Sequence, residues 1–160
     1  MTELTLAQRL GGVQDRIRSA ATKAHRDLSE IQLVIVTKNH SADLPIELLE
    51  LGESNFGENR DQEAKPKAEQ TQDLPDVNWH FVGQLQSNKV RSALSYSRII
   101  HSIDRPSLLS SIQKELVLQN SLASGFIQLN LTDDPGRGGV QPKDLLEFAE
   151  KAVEVSNLEI

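Results

Sequence analysis

The sequence contains no cysteine, which removes several kinds of site at once. Without a thiol among the 160 residues there is no disulfide framework, no thiolate metal site and no cysteine nucleophile. Aromatic residues are also scarce at 4%, with one tryptophan and one tyrosine, so a core must rest mainly on aliphatic side chains.

Long hydrophobic runs and an excess of positive charge are missing as well. The longest apolar run covers only a few residues, which predicts no membrane-spanning segment. Met1 is followed by Thr2 and Glu3 and then by an amphipathic stretch, which argues against a secretory signal and favours the cytoplasm. With 17 basic residues scattered among 23 acidic ones, the net charge is −6, and we predict no nucleic acid partner.

The histidines and serines offer little support for metal or hydrolase chemistry. The four histidines never recur at the i, i+4 spacing of a metal site on a helix, so we predict no metal ion. We interpret His80 as a hydrogen-bonded core residue. The segment from His101 to Asp104 holds three residue types of a catalytic triad, but no nucleophile-elbow motif accompanies it, which argues against a serine hydrolase.

Short apolar runs alternate with helical patterns along the chain. The opening helix is predicted from Leu6, Leu10, Val13 and Ile17, and Thr5 and Gln8 are placed as its capping box. Strands are predicted at 32–36, 55–57, 79–83, 98–101, 126–130 and 157–160. Further helices are predicted to begin near Pro45, Ser87, Pro106 and Pro142, the last with an apolar stripe of Leu145, Leu146, Ala149 and Val153, together with a polar helix broken or offset at Pro66.

Strands separated by helices at intervals of roughly twenty to thirty residues indicate parallel βαβ units, so the predicted fold class is α/β. Two architectures are open. The chain length favours a doubly wound open sheet, since a complete barrel needs about 250 residues. The polar face formed by Phe126, Gln128 and Asn130 favours a barrel whose interior holds a ligand. No linker or repeat divides the chain, and we predict one domain over residues 1–160.

Lys38 is the first candidate for a reactive side chain. It follows the strand predicted at 32–36 and shares a face with Val34 and Val36. The carboxyl ends of strands carry the sites of α/β proteins in both architectures. We expect apolar side chains to enclose the amine, which favours its uncharged, nucleophilic form and hence a Schiff base with an aldehyde. The alternative is a solvated lysine just past the strand.

The next strand presents Asn55, Gly57 and Asn59 on one face. Gly57 either leaves room for a planar ligand or only marks a strand end or bulge. Asn59 offers an amide donor and acceptor. We expect Lys38, Asn59 and the carboxyl ends of the next three strands to converge on one mouth, with Lys38 Nζ pointing inward.

Four motifs together resemble one known family. They are Val34-Ile-Val-Thr-Lys38, Asn55-Phe-Gly-Glu-Asn59, Trp79-His-Phe-Val-Gly-Gln-Leu-Gln-Ser-Asn-Lys89 and His101-Ser-Ile-Asp104. In order and spacing they are similar to the pyridoxal phosphate homeostasis proteins, whose single barrel is related to the barrel domain of alanine racemase. Thr37 stands where that family often has serine. The resemblance implies a parallel (β/α) barrel of this type, represented here by about five and a half βα units.

The resemblance also implies a function. Lys38 would hold pyridoxal 5'-phosphate as an internal aldimine, with Asn59 beside the cofactor, in a protein that serves intracellular homeostasis of this cofactor without substrate turnover. His80, Asn88 and Lys89 belong to the third motif, and we assign them no contact. Apo-enzymes that use the cofactor are the further partners implied. Family members continue through additional strands that grip the phosphate, so we expect this chain to lack those segments.

Two other functions are open at this point. One is an enzyme that uses Lys38 as a Schiff-base nucleophile, either an amino-acid racemase dependent on pyridoxal phosphate or a class I aldolase-like enzyme. The other is an open-sheet binding module without lysine chemistry. Tyr96 is the only tyrosine, and it is predicted on the helix before the fourth strand, so the sequence offers no evident second acid or base for turnover.

Overall fold

The computed structural model describes residues 4–134 and 136–160. Met1, Thr2 and Glu3, which carry part of the prediction about a secretory signal, and Pro135 lie outside the described residues. The chain divides into two compact units, one ending at Leu33 and one formed by Val34–Ile160. Among the described residues, no helix is long and apolar enough to cross a membrane.

The first unit contains helix α1, Leu6–Lys23, and a short 3-10 helix, Leu28–Glu30. The predicted capping box is confirmed. Gln8 N donates to Thr5 Oγ1 over 3.2 Å, and Thr5 N donates to Gln8 Oε1 over 2.9 Å. These two bonds satisfy backbone N–H groups that the first helical turn leaves without partners.

The second unit is built on a six-stranded parallel sheet. Its spatial strand order is identical to the order along the chain. A doubly wound sheet reverses its order at a switch point, whereas a (β/α) barrel adds each strand beside the last one. The winding is therefore that of a barrel. The strands are β1 Ile35–Val36, β2 Asn55–Glu58, β3 Asn78–Phe81, β4 Ser97–Ile103, β5 Ala123–Ile127 and β6 Leu158–Glu159.

A helix follows each of the first five strands, as βαβ units require. Pro66 lies inside α3, which continues through it, so the predicted break is absent. Proline removes one backbone donor there, and the buried residues on both sides of it keep the helix against its neighbours. The helices are α2 Leu44–Glu50, α3 Asp61–Thr71, α4 Val90–Ala93, α5 Pro106–Leu118 and α6 Leu145–Val153, with 3-10 turns at Ser87–Lys89 and Pro142–Asp144.

The main core is aliphatic, as the scarcity of aromatic residues predicts. It joins the helix-facing sides of β3, β4 and β5 to α4, α5 and α6. Its fully buried members include Ile100 and Ile103 from β4 and Leu108, Ile112 and Leu116 from α5. Side chains that point away from these helices are left to line the opposite face of the sheet, where a barrel places its interior.

Several predicted elements differ from the structure in their extent or in the face that is buried. The strand predicted at 32–36 covers only Ile35–Val36. β5 runs over Ala123–Ile127, three residues earlier than predicted, because its ladder pairs with β4 up to Ile103 opposite Ile127. The apolar stripe of α6 is also misplaced. Leu146 and Val153 are 73% and 65% exposed, and the buried residues are Phe148 and Ala152, one turn apart.

Candidate functional site

Lys38 lies in a tight turn directly after β1. His40 N donates to Thr37 O over 3.2 Å and closes the turn, and Asn39 takes a positive φ of 63° at its third position. This pattern is typical of a type II turn, in which asparagine is one of the few residues tolerated there. Lys38 thus takes the second of the four positions in a defined turn at the carboxyl edge of the sheet.

Asn59 comes directly after β2, the neighbour of β1. The parallel register pairs Val36 with Gly57, and Thr37 N donates to Gly57 O over 3.0 Å. The ladder ends there, and Lys38 and Asn59 each lie two residues beyond its last pair. The two predicted site residues therefore follow neighbouring strands at the carboxyl edge of the sheet.

The surroundings of Lys38 differ from the prediction. Its side chain is exposed, and Val36 on the same strand face is 43% exposed. The expected enclosure by apolar side chains is therefore wrong, because the strand ends at Val36 and the turn that follows the buried Thr37 carries Lys38 into water. Within residues 4–134 and 136–160, no hydrogen bond or ion pair engages Lys38 Nζ, so the amine is accessible.

Two glycines, Gly57 and Gly83, lie close to other parts of the chain at this edge of the sheet. A side chain at Gly57 would meet Val36 Cγ2 at 3.1 Å and Val34 Cγ1 at 3.3 Å, so the space beside this glycine is filled by valines and not by room for a planar ligand. A side chain at Gly83 would overlap the backbone of Asn59. Glycine at position 83 therefore lets the chain after β3 pack directly against the backbone of Asn59.

A chain of hydrogen bonds and ring contacts crosses the barrel-interior face of β2 to β5. His80 Nε2 lies 3.2 Å from Asn55 Oδ1, and His80 Nδ1 lies 2.9 Å from His101 Nε2. The ring of His101 packs on Phe126 with centroids 4.8 Å apart. Because Asn55 Oδ1 can only accept, His80 Nε2 donates to it, and the neutral His80 accepts from His101 at Nδ1.

Burial favours the uncharged form of both histidines. It lowers the pKa of His80 to about 4, with a smaller contribution from the charge of nearby His101, and it also lowers the pKa of His101. The interpretation of His80 as a hydrogen-bonded core residue is confirmed. The contacts of His101 with His80 and Phe126 were not predicted.

Asn130 has a different role from the one predicted. It is buried, but it follows β5 and holds the succeeding loop. Its Nδ2 donates to Asp134 O and Arg137 O over 3.1 Å each, and its Oδ1 accepts from Thr132 N over 2.9 Å. Asn130 therefore organises a loop and does not line a barrel interior. The early end of β5 causes the change.

A buried ion pair beneath the Lys38 turn was also not predicted. Lys67 Nζ on α3 lies 2.6 Å from Glu58 Oε1 on β2, and it donates to Thr37 O over 2.7 Å. Thr37 Oγ1 donates to the same oxygen of Glu58 over 2.8 Å. In the sequence, Glu58 is flanked by the candidate site residues Gly57 and Asn59, which could have drawn attention to it.

A cleft of about 480 Å³ opens beside Asn59. Its other walls come from the start of α3 and from the segment after β3, including Gln84, Gln86 and Lys89. Parts of the second and third sequence motifs therefore meet at one place. No group of three or more potential metal ligands occurs among the residues that the structure describes.

Comparisons with known proteins agree with the predicted fold and family. No family model matches the chain. A pyridoxal phosphate homeostasis protein of Aquifex aeolicus is 34% identical over 157 residues, which cover 98% of this chain and 68% of the relative. The structure of PipY from Synechococcus elongatus with pyridoxal phosphate bound is 34% identical with a TM-score of 0.76, covering 89% of this chain and 66% of PipY.

More distant structures share only the fold. An alanine racemase from Clostridium difficile is 15% identical with a TM-score of 0.64, covering 91% of this chain and 38% of the racemase. The parallel sheet thus has the winding of the alanine racemase barrel, as predicted. The chain spans about two thirds of the length of the homeostasis protein and of PipY.

Proposed function

The chain belongs to the family of pyridoxal phosphate homeostasis proteins, and on that premise we propose that it binds pyridoxal 5'-phosphate through Lys38. It takes part in the intracellular homeostasis of this cofactor, in the cytoplasm, and delivers the cofactor to apo-enzymes that require it. It does so without converting a substrate. The observation that carries this proposal is the accessible amine of Lys38, which follows β1 at the carboxyl edge of the sheet, where Asn59 follows the neighbouring strand β2.

The residues at this edge fit the cofactor. Pyridoxal 5'-phosphate supplies an aldehyde that reacts with a primary amine, and Lys38 presents such an amine on a fixed turn. Asn59 contributes an amide that can donate and accept hydrogen bonds next to it.

The environment of Tyr96 supports binding without turnover. Racemisation needs a second acid or base beside the reacting carbon. Tyr96 is the only tyrosine, and it packs against the core with its hydroxyl donating to Asp61 Oδ1 over 3.2 Å. Burial, helped by the charge of Asp61, raises the pKa of Tyr96 above its ordinary value of 10.0. This partly buried tyrosine therefore remains a hydrogen-bond donor to Asp61.

The test is to identify which lysine forms the covalent bond with pyridoxal 5'-phosphate. We expect the protein incubated with pyridoxal 5'-phosphate and reduced with borohydride to carry the added mass on Lys38 in a peptide map. Lys65→Ala, which alters an exposed lysine on α3, is the matched control and should leave the labelling of Lys38 unchanged. A reduced product on Lys23 or Lys89 with Lys38 unmodified would contradict the proposal. Turnover of alanine or other amino acids would favour the racemase alternative.

A further inference from the structure

We propose that Lys67, Glu58 and Glu63 are positioning residues that hold the turn carrying Lys38 and so set how its amine is presented. This inference rests on the proposed function, because it assigns to three further residues a role in binding at Lys38. It is carried by contacts on both sides of Lys38 in the chain, and each of these contacts is independent of any bound group.

The residue before Lys38 is fixed by all of its polar groups. Thr37 N donates to Gly57 O on β2, Thr37 Oγ1 donates to Glu58 Oε1, and Thr37 O accepts from Lys67 Nζ. Thr37 is also fully buried. Since Thr37 O belongs to the peptide group that leads into Lys38, the bond from Lys67 fixes the plane of that peptide.

The residue after Lys38 is held from the same helix. Asn39 N donates to Glu63 Oε2 over 3.1 Å, and this bond is the main reason that the pKa of Glu63 lies below its ordinary value. Glu63 and Lys67 are four residues apart on α3, so they lie on one face, one turn from each other. One rigid helix therefore holds the chain on both sides of Lys38.

Stability alone does not explain the buried pair. Lys67 is 5% exposed and Glu58 is fully buried, so both charges have lost their water. Among the described residues, Glu58 Oε2 is buried without a hydrogen-bond partner. A buried ion pair is often no more stabilising than apolar residues of the same volume, particularly when an oxygen is left unsatisfied. What an apolar pair could not supply is the donor to Thr37 O.

The first experiment removes that donor while keeping the packing. In the double variant Glu58→Gln with Lys67→Met, both charges disappear together, and the amide oxygen of residue 58 still accepts from Thr37 Oγ1. We expect the unfolding midpoint to fall below that of the control Lys65→Met, because the amide N–H₂ introduced at position 58 takes a buried place without a partner, so binding is compared at temperatures where both variants are equally folded. We expect pyridoxal 5'-phosphate to bind about tenfold more weakly, which corresponds to about 1.4 kcal/mol.

Hydrogen exchange provides a readout that needs no cofactor. Amides of residues 37–40 should exchange about tenfold faster in the double variant than in Lys65→Met, because the turn opens more readily without its anchor. A purely structural role for the pair predicts unchanged exchange and unchanged affinity once stability is matched. Affinity within about twofold of the control, with unchanged exchange, would overturn the inference.

Glu63 gives a second test that does not depend on the buried pair. Its side chain reaches the surface, so its variants should fold even if the double variant does not. Glu63→Ala removes the acceptor of Asn39 N and should weaken binding, whereas Glu63→Gln keeps a carbonyl oxygen and should restore it. If Glu63→Ala binds as tightly as the wild type, Glu63 does not position Lys38. If the wild type itself forms no covalent bond at Lys38, the proposed function fails. The hydrogen-exchange rates still test whether Lys67, Glu58 and Glu63 hold the turn.

Discussion

At the scale of single residues, Asn39 adopts a backbone conformation that most residues avoid. Its φ of 63° lies in the left-handed region, directly after Lys38. A side chain with a Cβ and no local hydrogen bonding costs about 1–2 kcal/mol in this region, and glycine costs little. The identity of residue 39 therefore matters both for the stability of the turn and for the lysine that the turn carries.

The prediction for this position compares two substitutions. Asn39→Ala should lower the free energy of unfolding by about 1 kcal/mol, and Asn39→Gly should leave it nearly unchanged. Urea denaturation followed by circular dichroism measures both. If Asn39→Ala proves as stable as Asn39→Gly, the left-handed conformation is not a constraint on this turn.

His80 gives a prediction on pH. The folded state lowers its pKa from 6.5 to about 4, so the unfolded chain binds the proton more readily between these values. Stability should therefore be complete above pH 6.5 and fall as the pH is lowered from 6.5 to 4. We expect a loss on the order of 1–2 kcal/mol after allowing for partial access of water.

The measurement is the free energy of unfolding at pH values between 4 and 7, in the wild type and in His80→Asn. The part of the pH dependence due to His80 should disappear in the variant. His25→Asn, which changes an exposed histidine in the first unit, should keep the dependence of the wild type. A His80→Asn curve that parallels the wild-type curve would show that other groups cause the acid sensitivity.

At the scale of elements, Thr71 near the end of α3 joins this helix to β3. Trp79 Nε1 donates to Thr71 Oγ1 over 3.0 Å, and both residues are buried. Thr71→Val keeps the shape of the side chain but leaves the indole N–H without its partner, so we expect a loss of about 1–3 kcal/mol. Thr71→Ser retains the hydroxyl and is the matched control. Chemical denaturation with tryptophan fluorescence reports on both variants.

The sequence predicted the strand ends that carry the candidate site, but not the full extent of the strands. The strand predicted at 32–36 covers only Ile35–Val36, yet Lys38 and Asn59 follow neighbouring strands, as predicted. β5 was misplaced by three residues, because its start is fixed by pairing with β4 and β6 and not by its own hydrophobic pattern. The sequence of one strand alone does not determine how it pairs with its neighbours.

The buried polar contacts could not be predicted for a related reason. Lys67 lies nine residues from Glu58 and thirty from Thr37, and only the packing of α3 against β1 and β2 brings the three together. On α6, four apolar residues suggested a stripe, yet the tertiary fold buries Phe148 and Ala152 instead of Leu146 and Val153. Helical periodicity identifies a helix more reliably than it identifies the face that is buried.

At the scale of the whole molecule, binding at one edge should be visible in the unfolding of the unit that contains it. Lys38 and Asn59 both belong to Val34–Ile160, so the cofactor should stabilise this unit. A ligand at 100 times its dissociation constant adds about 2.7 kcal/mol, which for a chain of this size raises the midpoint by about 5–10 °C. Differential scanning calorimetry with and without pyridoxal 5'-phosphate measures this shift.

Two controls separate attachment at Lys38 from binding of the phosphate alone. Pyridoxine 5'-phosphate has the same ring and phosphate but no aldehyde, so it should raise the midpoint less than pyridoxal 5'-phosphate does. Lys38→Ala should reduce the shift from the aldehyde to that of the alcohol, since the amine contributes only when both reacting groups are present. Equal shifts from the two ligands in the wild type would mean that the phosphate and ring account for the affinity, and that Lys38 reacts without adding to it.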